Sequence, residues 1–199
     1  MSGQSSRILM VAAIIAIVAA ASVGAAFAYS SVTNSENNNL SSDAYLVATD
    51  SHGDTSFQIS PVRYMRAGTG VYLPEFEGST IEGQLEAKSP SGSSQMRMWV
   101  TMQDPMSWTV IQKITLTVDY DDDTKKVERT CFDWNNVIPQ TGAATDVISL
   151  GDGTHTFKIS VTYRSTVSSD PNTYSQVLNS GIVFVQGTNA NDPLTPPSS

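Results

Sequence analysis

Two long segments alternate apolar and polar residues with a period of two, and this pattern limits the fold more than any other feature. They are Trp108–Tyr120 (WTVIQKITLTVDY) and Thr154–Arg164 (THTFKISVTYR). In the first segment only Ile111 and Gln112 break the alternation. Because successive side chains of a strand point to opposite faces of a sheet, each segment predicts a strand with one buried face.

Other stretches predict further strands, and polar or glycine-containing turns separate them. The remaining expected strands are Gln95–Gln103, Lys125–Trp134, Gln176–Gln186, Ala44–Thr49, Phe57–Tyr64, Val71–Phe76 and Asp146–Leu150. The segment Thr80–Lys88 instead predicts a helical turn, which Gly83 weakens. Eight or nine short strands with such turns indicate an all-β fold, namely an antiparallel β-sandwich of jelly-roll or immunoglobulin-like type.

The amino-terminal part of the chain is a long apolar segment. Ile8–Ala28 follows a single basic residue, Arg7, and ends in small residues. This pattern predicts a secretory signal peptide that is cleaved between Ala28 and Tyr29. The segment is also about long enough to span a bilayer as an uncleaved anchor, which would be the chain's one contact with a membrane. Both alternatives place the rest of the chain outside the cytoplasm, secreted or at the cell surface, because the basic residue stays inside.

Composition divides the chain into four segments. Residues 1–28 are the signal peptide or membrane anchor, and residues 29–43 are a polar linker rich in Ser and Asn. Residues 44–187 contain the predicted strands and form the β-sandwich domain. Residues 188–199 are a Pro- and Ser-rich tail, which we expect to be disordered.

Charge and cysteine content exclude some classes of protein. The formal net charge is −8, with 19 acidic and 11 basic residues, so we expect no nucleic-acid partner. Cys131 is the only cysteine, which excludes an intramolecular disulfide. An exported domain without disulfides must depend on its hydrophobic core for stability.

The acidic residues after the first long strand are weak calcium candidates, because calcium is bound by several carboxylate and carbonyl oxygens. They are Asp119, Asp121, Asp122 and Asp123. The run lacks the EF-hand spacing, its central glycine and its closing glutamate. Asp residues before two lysines are also typical of a solvated hairpin turn, so we expect a turn and no metal here.

No other pattern predicts a metal site or a catalytic centre. His52, His155 and Cys131 are not at zinc-ligand spacing, and Met96, Met98 and Met102 fit the core face of a strand better than a copper site. Nucleophile-elbow, cysteine-protease and phosphate-binding motifs are absent from the sequence. We therefore expect neither enzymatic activity nor a cofactor.

Two features bear on glycans. Asn39-Leu40-Ser41 is an N-glycosylation acceptor in the polar linker. Trp99 and Trp134 could stack on sugar rings, although tryptophans at such strand positions more often pack between sheets. A carbohydrate-binding face is therefore an alternative that the sequence leaves open.

The apolar segment leads into a Ser-, Thr- and Asn-containing stretch and then a first strand, with Ala28-Tyr29-Ser30, Thr33, Asn37–Asn39 and Ala44–Thr49. This arrangement resembles the TasA/camelysin family of exported fibre and surface proteins. It covers about residues 20–50, and the chain lacks the family's Gly-x-Leu-Asp-Leu type entry into that strand. The resemblance implies a jelly-roll-like sandwich with a structural role in the cell envelope and no catalytic residues.

Two functional hypotheses follow. The leading one is a cell-surface structural or adhesive protein, with copies of itself as partners, that forms filaments by β-strand addition. The candidate strand-exchange residues are Ala44, Tyr45, Leu46, Val47, Ala48 and Thr49. The alternative is a membrane-tethered extracellular module that binds a glycan or a surface protein, and a secreted hydrolase is the weakest hypothesis.

Overall fold

A computed structural model of the chain describes residues 33–34, 45–60, 62–165, 167 and 180–187. The expected signal peptide or anchor with its cleavage site at Ala28 and Tyr29, the acceptor Asn39, most of the linker and the tail lie outside these residues. Within the described ranges, no helix is both long enough and apolar enough to cross a bilayer.

The described residues form twelve strands and one short 3-10 helix, Pro105–Val110. The strands are β1 (Thr33–Asn34), β2 (Tyr45–Asp50), β3 (Tyr64–Gly68), β4 (Val71–Pro74), β5 (Gly78–Lys88), β6 (Ser93–Met102), β7 (Ile111–Val118), β8 (Val127–Asp133), β9 (Ala143–Ala144), β10 (Ile148–Gly151), β11 (Gly153–Tyr163) and β12 (Ser180–Gly187).

Two sheets pack against each other as a sandwich. Sheet I has the strand order β2-β5-β11-β7-β8, and every pairing in it is antiparallel. Sheet II has the order β1-β12-β6-β10, with β9 also paired to β6. Its only parallel pairing joins β12 to β1, two residues of the expected linker. Strands β3 and β4 form a separate hairpin. The predicted antiparallel β-sandwich is confirmed.

The hydrophobic core lies between the two sheets and contains the apolar residues of alternating strands. Phe157 of sheet I contacts Phe184 of sheet II, with ring centroids 5.3 Å apart, and Phe57 packs edge-on against both rings. Met96 and Met98 of β6 are fully buried, so the methionine face predicted as core is core. A single contiguous cluster of buried side chains is what a domain without disulfides needs for stability.

The strand predicted at Trp108–Tyr120 is shorter than its pattern indicates. Asp104 caps the 3-10 helix by accepting a hydrogen bond from the backbone amide of Met106 at 2.9 Å, and Pro105 follows at the first helical position. Trp108 belongs to this helix, not to a strand, and its side chain is buried in the core. The prediction is therefore wrong at both ends, because β7 covers only Ile111–Val118.

A β-bulge explains the two residues that break the alternation in β7. The register between β7 and β11 skips Gln112, which is the extra residue. It turns Ile111 into the core, where the side chain is fully buried, although a strict period of two predicts the outer face. On the other side of β7, the register skips Cys131 of β8, so Cys131 and Phe132 are both buried.

The predicted helical turn at Thr80–Lys88 is wrong, because these residues belong to the long strand β5 in the interior of sheet I. Leu85 and Ala87 are buried, and Glu86 between them is exposed. Gly83 fits the strand because a Cβ there would lie 2.8 Å from Phe157 Cε1 and overlap the backbone of β2. Glycine disfavours a helix, but here it permits the close approach of neighbouring strands.

The strand predicted at Phe57–Tyr64 is also wrong. Described residues 55–60 and 62–63 form an irregular connection, and β3 begins only at Tyr64. Phe57, Ile59 and Val62 are nevertheless buried, and the Ile59 amide donates to Ser180 Oγ at 2.7 Å. The apolar spacing in this segment therefore reflects packing against the core rather than strand pairing.

Candidate ligand-binding site

A pocket opens on the outer face of sheet I because β2 ends before its neighbour β5. The two strands pair from Tyr45 opposite Lys88 to Asp50 opposite Gly83, where β2 turns away. The remaining half of β5 continues without β2 beside it, and the step leaves a cavity of about 380 Å³. This volume lies in the range of small-ligand sites. Its lining residues are Thr49, Asp50, Ser51, Glu82, Gly83, Gln84, Tyr120 and Thr156.

One wall of the pocket is the tight turn that follows β2. Asp50 Oδ1 accepts hydrogen bonds from the backbone amides of His52 and Asp54, each at 2.8 Å. The bond from Asp54 is the main reason that the pKa of Asp50 is lowered, and the bond from His52 acts in the same direction. The Asp50 carboxylate therefore stays ionised and holds the turn in place.

The floor of the pocket is a row of polar side chains on three neighbouring strands. Gln84 lies between Thr49 and Thr156 in the strand register. Thr156 Oγ1 donates to the Asp121 carboxylate. Among the described residues, the side chains of Thr49 and Gln84 have no hydrogen-bond partner, and Gln84 is exposed. A hydroxyl and an amide that can donate and accept are thus available to a ligand.

An ion pair between Lys158 and Glu82 lies beside the polar row, two residues along β11 and β5 from Thr156 and Gln84. Lys158 Nζ lies 2.8 Å from Glu82 Oε1, and this hydrogen bond raises the pKa of Lys158. The same ammonium group lies 5.8 Å from the centroid of the Tyr120 ring. Both charged side chains are more than a third exposed, so the pair contributes little to stability. The pair places the Lys158 ammonium and the Glu82 carboxylate side by side next to the pocket.

Tyr120 forms the second wall and is held by the loop after β7. Asp119 has a left-handed backbone conformation (φ 50°), and its carboxylate lies 3.0 Å from His155 Nδ1. The Asp119 amide also donates to the backbone oxygen of Thr156 at 2.7 Å. Both contacts join Asp119, the residue before Tyr120, to β11, and Asp121 after it accepts a hydrogen bond from Thr156 Oγ1. Tyr120 is itself half-exposed, so one part of its ring is available for contact.

The weak calcium candidates make the hydrogen bonds of a turn. Asp119 contacts His155 and Asp121 accepts from Thr156, while Asp123 is exposed. Asp122 accepts from the Thr124 hydroxyl at 2.6 Å and lies 3.1 Å from Lys125 Nζ. The hydrogen bonds from Thr124 and Lys125 lower the pKa of Asp122 to about 2.

The other candidate ligands are dispersed. No three His, Cys, Asp or Glu side chains in the described part of the chain are arranged to hold a metal ion, so His52, His155 and Cys131 form no zinc cluster there. Cys131 is a buried free thiol.

The two tryptophans considered for glycan binding lie outside the pocket. Trp99 is half-buried in sheet II. Trp134 is also half-buried, and the Arg164 guanidinium lies 4.3 Å from its ring centroid. Packing against the core explains Trp134, and neither tryptophan lines the pocket, whose aromatic ring is Tyr120.

The candidate strand-exchange residues belong to the chain's own sheet. Tyr45, Leu46, Val47, Ala48 and Thr49 lie in β2, which pairs with β5 of the same chain, while Ala44 lies outside the described residues. Leu46 and Ala48 are buried in the core. In this conformation β2 completes its own domain.

The pocket residues escape prediction because they come from four separate segments. One local pattern could have predicted part of the pocket, because small or apolar residues alternate with polar ones along β5. These residues are Ile81, Gly83, Leu85 and Ala87. It predicts that Glu82 and Gln84 share the outer face of a strand, but not which strands lie beside them.

Comparisons with known proteins do not assign the chain to a family. No protein-family model matches the chain, and no curated protein has a significantly similar sequence. Among solved structures, a carbohydrate-binding module described as CBM35 from Cellvibrio japonicus Abf62 is similar, with a TM-score of 0.35 and 12% sequence identity. The match covers 71% of this chain and 95% of that one. A likeness at this level carries no information on what this chain binds.

Proposed function

We propose that the chain is a non-enzymatic binding module, displayed outside the cytoplasm, that holds a neutral glycan in the pocket of sheet I. The observation that carries this proposal is the unpartnered Gln84 amide beside the Thr49 hydroxyl in an open polar cavity walled by the Tyr120 ring. Sugar hydroxyls both donate and accept hydrogen bonds, and the C–H faces of pyranose rings pack on aromatic side chains.

The energy available from the pocket favours a chain of sugars over a single one. Gln84, Thr49 and Glu82 line the pocket and Lys158 lies beside it, so together they offer about four hydrogen bonds, each with a net contribution of about 1 kcal/mol. A total of about 4 kcal/mol corresponds to a Kd on the order of 1 mM. Tyr45 lies on the same face, about 13 Å from Thr49 along β2. Its hydroxyl donates to Glu86 at 2.8 Å, so it offers a second ordered ring to an oligosaccharide.

The carboxylates of the pocket support binding rather than hydrolysis. Glycosidases use two carboxyl groups as acid and as base or nucleophile. Here Asp50 accepts hydrogen bonds from two backbone amides, and Glu82 pairs with Lys158. Both carboxylates are thus bound to groups of the protein itself. The filament hypothesis has no comparable support, because β2 already pairs with β5 of its own chain.

Affinity measurements on a panel of neutral and acidic oligosaccharides test the proposal. We expect Gln84→Ala and Tyr120→Leu each to weaken binding of the best neutral glycan by about tenfold. Thr115→Ala is the matched control, because Thr115 lies on the same outer face but away from the pocket. Equal losses in all three variants, or no binding by any glycan of the panel, would contradict the proposal.

A further inference from the structure

His155 lies where two turns of the protein meet, and both nitrogens of its ring contact hydrogen-bond acceptors. Nδ1 lies 3.0 Å from the Asp119 carboxylate, in the loop that follows β7. Nε2 lies 2.9 Å from the backbone carbonyl oxygen of Gly151, at the end of β10. The side chains of His155 and Asp119 are only 16% and 17% exposed, so the contact between them is largely shielded from water.

Only the charged imidazolium makes both of these contacts as hydrogen bonds. A neutral histidine has one N–H donor, and its other ring nitrogen is an acceptor. With the proton on Nε2, the Nδ1 lone pair faces the Asp119 carboxylate. With the proton on Nδ1, the Nε2 lone pair faces the Gly151 carbonyl. Loss of one proton from the imidazolium therefore breaks one of the two contacts.

The charge of the His155 ring acts mainly through Asp119. The charged groups of the two turns around the ring are Asp119, Asp121, Asp122, Asp123, Lys125 and Lys126 after β7 and Asp152 before β11. Among these seven residues, only Asp119 forms an ion pair with the ring. Leu85, opposite His155 on β5, and Ala48, opposite Leu85 on β2, carry no charge.

The contact with Asp119 connects His155 to the pocket through Tyr120, the next residue in the chain, which lines the pocket. Asp119 has a left-handed backbone (φ 50°), a sparsely populated conformation that neighbouring contacts must hold. Its amide donates to the Thr156 carbonyl at 2.7 Å, and its carboxylate contacts His155. Loss of the carboxylate contact therefore loosens the residue that precedes the Tyr120 wall.

We propose that protonation of His155 strengthens glycan binding in this pocket, so that the protein binds its glycan more tightly at acidic than at alkaline pH. The inference rests on the proposed function, because it concerns the regulation of the same site. Histidine changes its charge between about pH 5 and 8, whereas carboxylates ordinarily titrate below this range. A neutral glycan does not titrate there, so a change in affinity reports on the protein.

His52 is the other histidine of the chain and the alternative source of pH dependence. Its Nδ1 lies 3.4 Å from Asp50 Oδ2, at the edge of the pocket. However, the His52 side chain is 81% exposed, and Asp50 also accepts hydrogen bonds from the backbone amides of His52 and Asp54. Because these amide bonds do not depend on the charge of the ring, they continue to hold the turn when His52 is neutral.

NMR of the isotope-labelled full chain between about pH 5 and 8 tests the loop contact without any glycan. We expect the amide signals of residues 119–122 to change together with the ring nitrogens of His155. Asp119→Asn should remove this dependence and keep the loop attached, because the asparagine amide can donate to Nδ1 of a neutral ring. Asparagine also tolerates the left-handed conformation. Loop amides that do not follow His155, or that follow it equally in Asp119→Asn, would overturn the proposal.

Affinity at about pH 5.5 and about pH 8 tests the effect on binding, with the neutral oligosaccharide of the panel that has the lowest Kd as the probe. We expect several-fold weaker binding at the higher pH in the wild type and in His52→Gln, and equal affinities in Asp119→Asn. His155→Gln, also expected to bind equally at both pH values, replaces Asp119→Asn if that variant impairs folding.

The outcomes separate this regulation from the function on which it rests. Equal affinities of the wild type at both pH values, or a pH dependence that disappears in His52→Gln, would overturn the regulation alone. Absence of binding by every oligosaccharide at both pH values would overturn the proposed function and the regulation with it.

Discussion

Alternate residues of β11 belong to opposite faces of sheet I, and the two faces have different roles. The inner residues Phe157, Ile159 and Val161 are almost completely buried against sheet II. The outer residues Thr156, Lys158 and Ser160 are partly exposed, and the first of them lines the pocket. The inner face determines whether the sandwich folds, whereas the outer face can carry a binding site at little cost to stability. The predictions below test this separation.

The largest expected effect concerns Cys131, which belongs to the inner side of sheet I. Burial raises the pKa of its thiol to about 12, so almost no thiolate exists in the folded protein at about pH 8. Alkylation should then require global unfolding and proceed at least a thousandfold more slowly than in urea, roughly as a stability of 5 kcal/mol implies. Mass spectrometry after timed alkylation measures this. Complete labelling of the folded protein within minutes would show that the inner face is accessible.

Truncation of the inner face should destabilise the fold strongly. Leu116 is fully buried, so Leu116→Ala should lower the free energy of unfolding by about 2–5 kcal/mol through lost burial and a cavity. Thr115→Ala on the outer face should change it by less than about 0.5 kcal/mol. Urea denaturation measures both variants. Thr117 is unsuitable as a control, because it is only 7% exposed although its face is the outer one.

A close approach between strands of sheet I, at Gly83, gives an intermediate effect. Gly83→Ala places a methyl group against Phe157 and the backbone of β2, and we expect a loss of about 1–3 kcal/mol from overpacking. Gly151→Ala is the control, since a Cβ there meets no atom within 4 Å. Thermal unfolding compares the two variants. If both melt at the same temperature, Gly83 is not required by packing.

The smallest effect is expected in the exposed loop that follows β7. Hydrogen bonds lower the pKa of Asp122 to about 2 in the folded protein. The ionised carboxylate therefore stabilises the fold at pH values above the ordinary pKa of 3.8, and this stabilisation disappears as the pH falls toward 2. NMR titration should show the low pKa in the wild type and its return toward the ordinary value in Thr124→Ala. An unchanged pKa in that variant would assign the shift to Lys125 instead.

The sequence predicts the inner face better than the outer one. Apolar alternation identifies β11 and most of β7, because burial on one face is recorded in every second residue. The alternation fails at Gln112, where a bulge moves the following residues of the pattern to the opposite face. It also fails at β5, where Gly83 and the surrounding Glu, Gln and Lys suggest a weak helix. Asp104 before Pro105 was a helix-start signal that the longer strand pattern obscured. The pocket depends on which strands are neighbours and where β2 ends, and no local pattern specifies either.

The most direct test of the separation between the two faces is an NMR titration of the isotope-labelled protein with the oligosaccharide that binds best. We predict that amide shifts concentrate at Thr49–Ser51, Glu82–Gln84, Tyr120 and Thr156, with little change at the β3–β4 hairpin or along β6. Shifts centred on sheet II or the hairpin, or none with any glycan that the protein retains, would contradict a binding site on the outer face of sheet I.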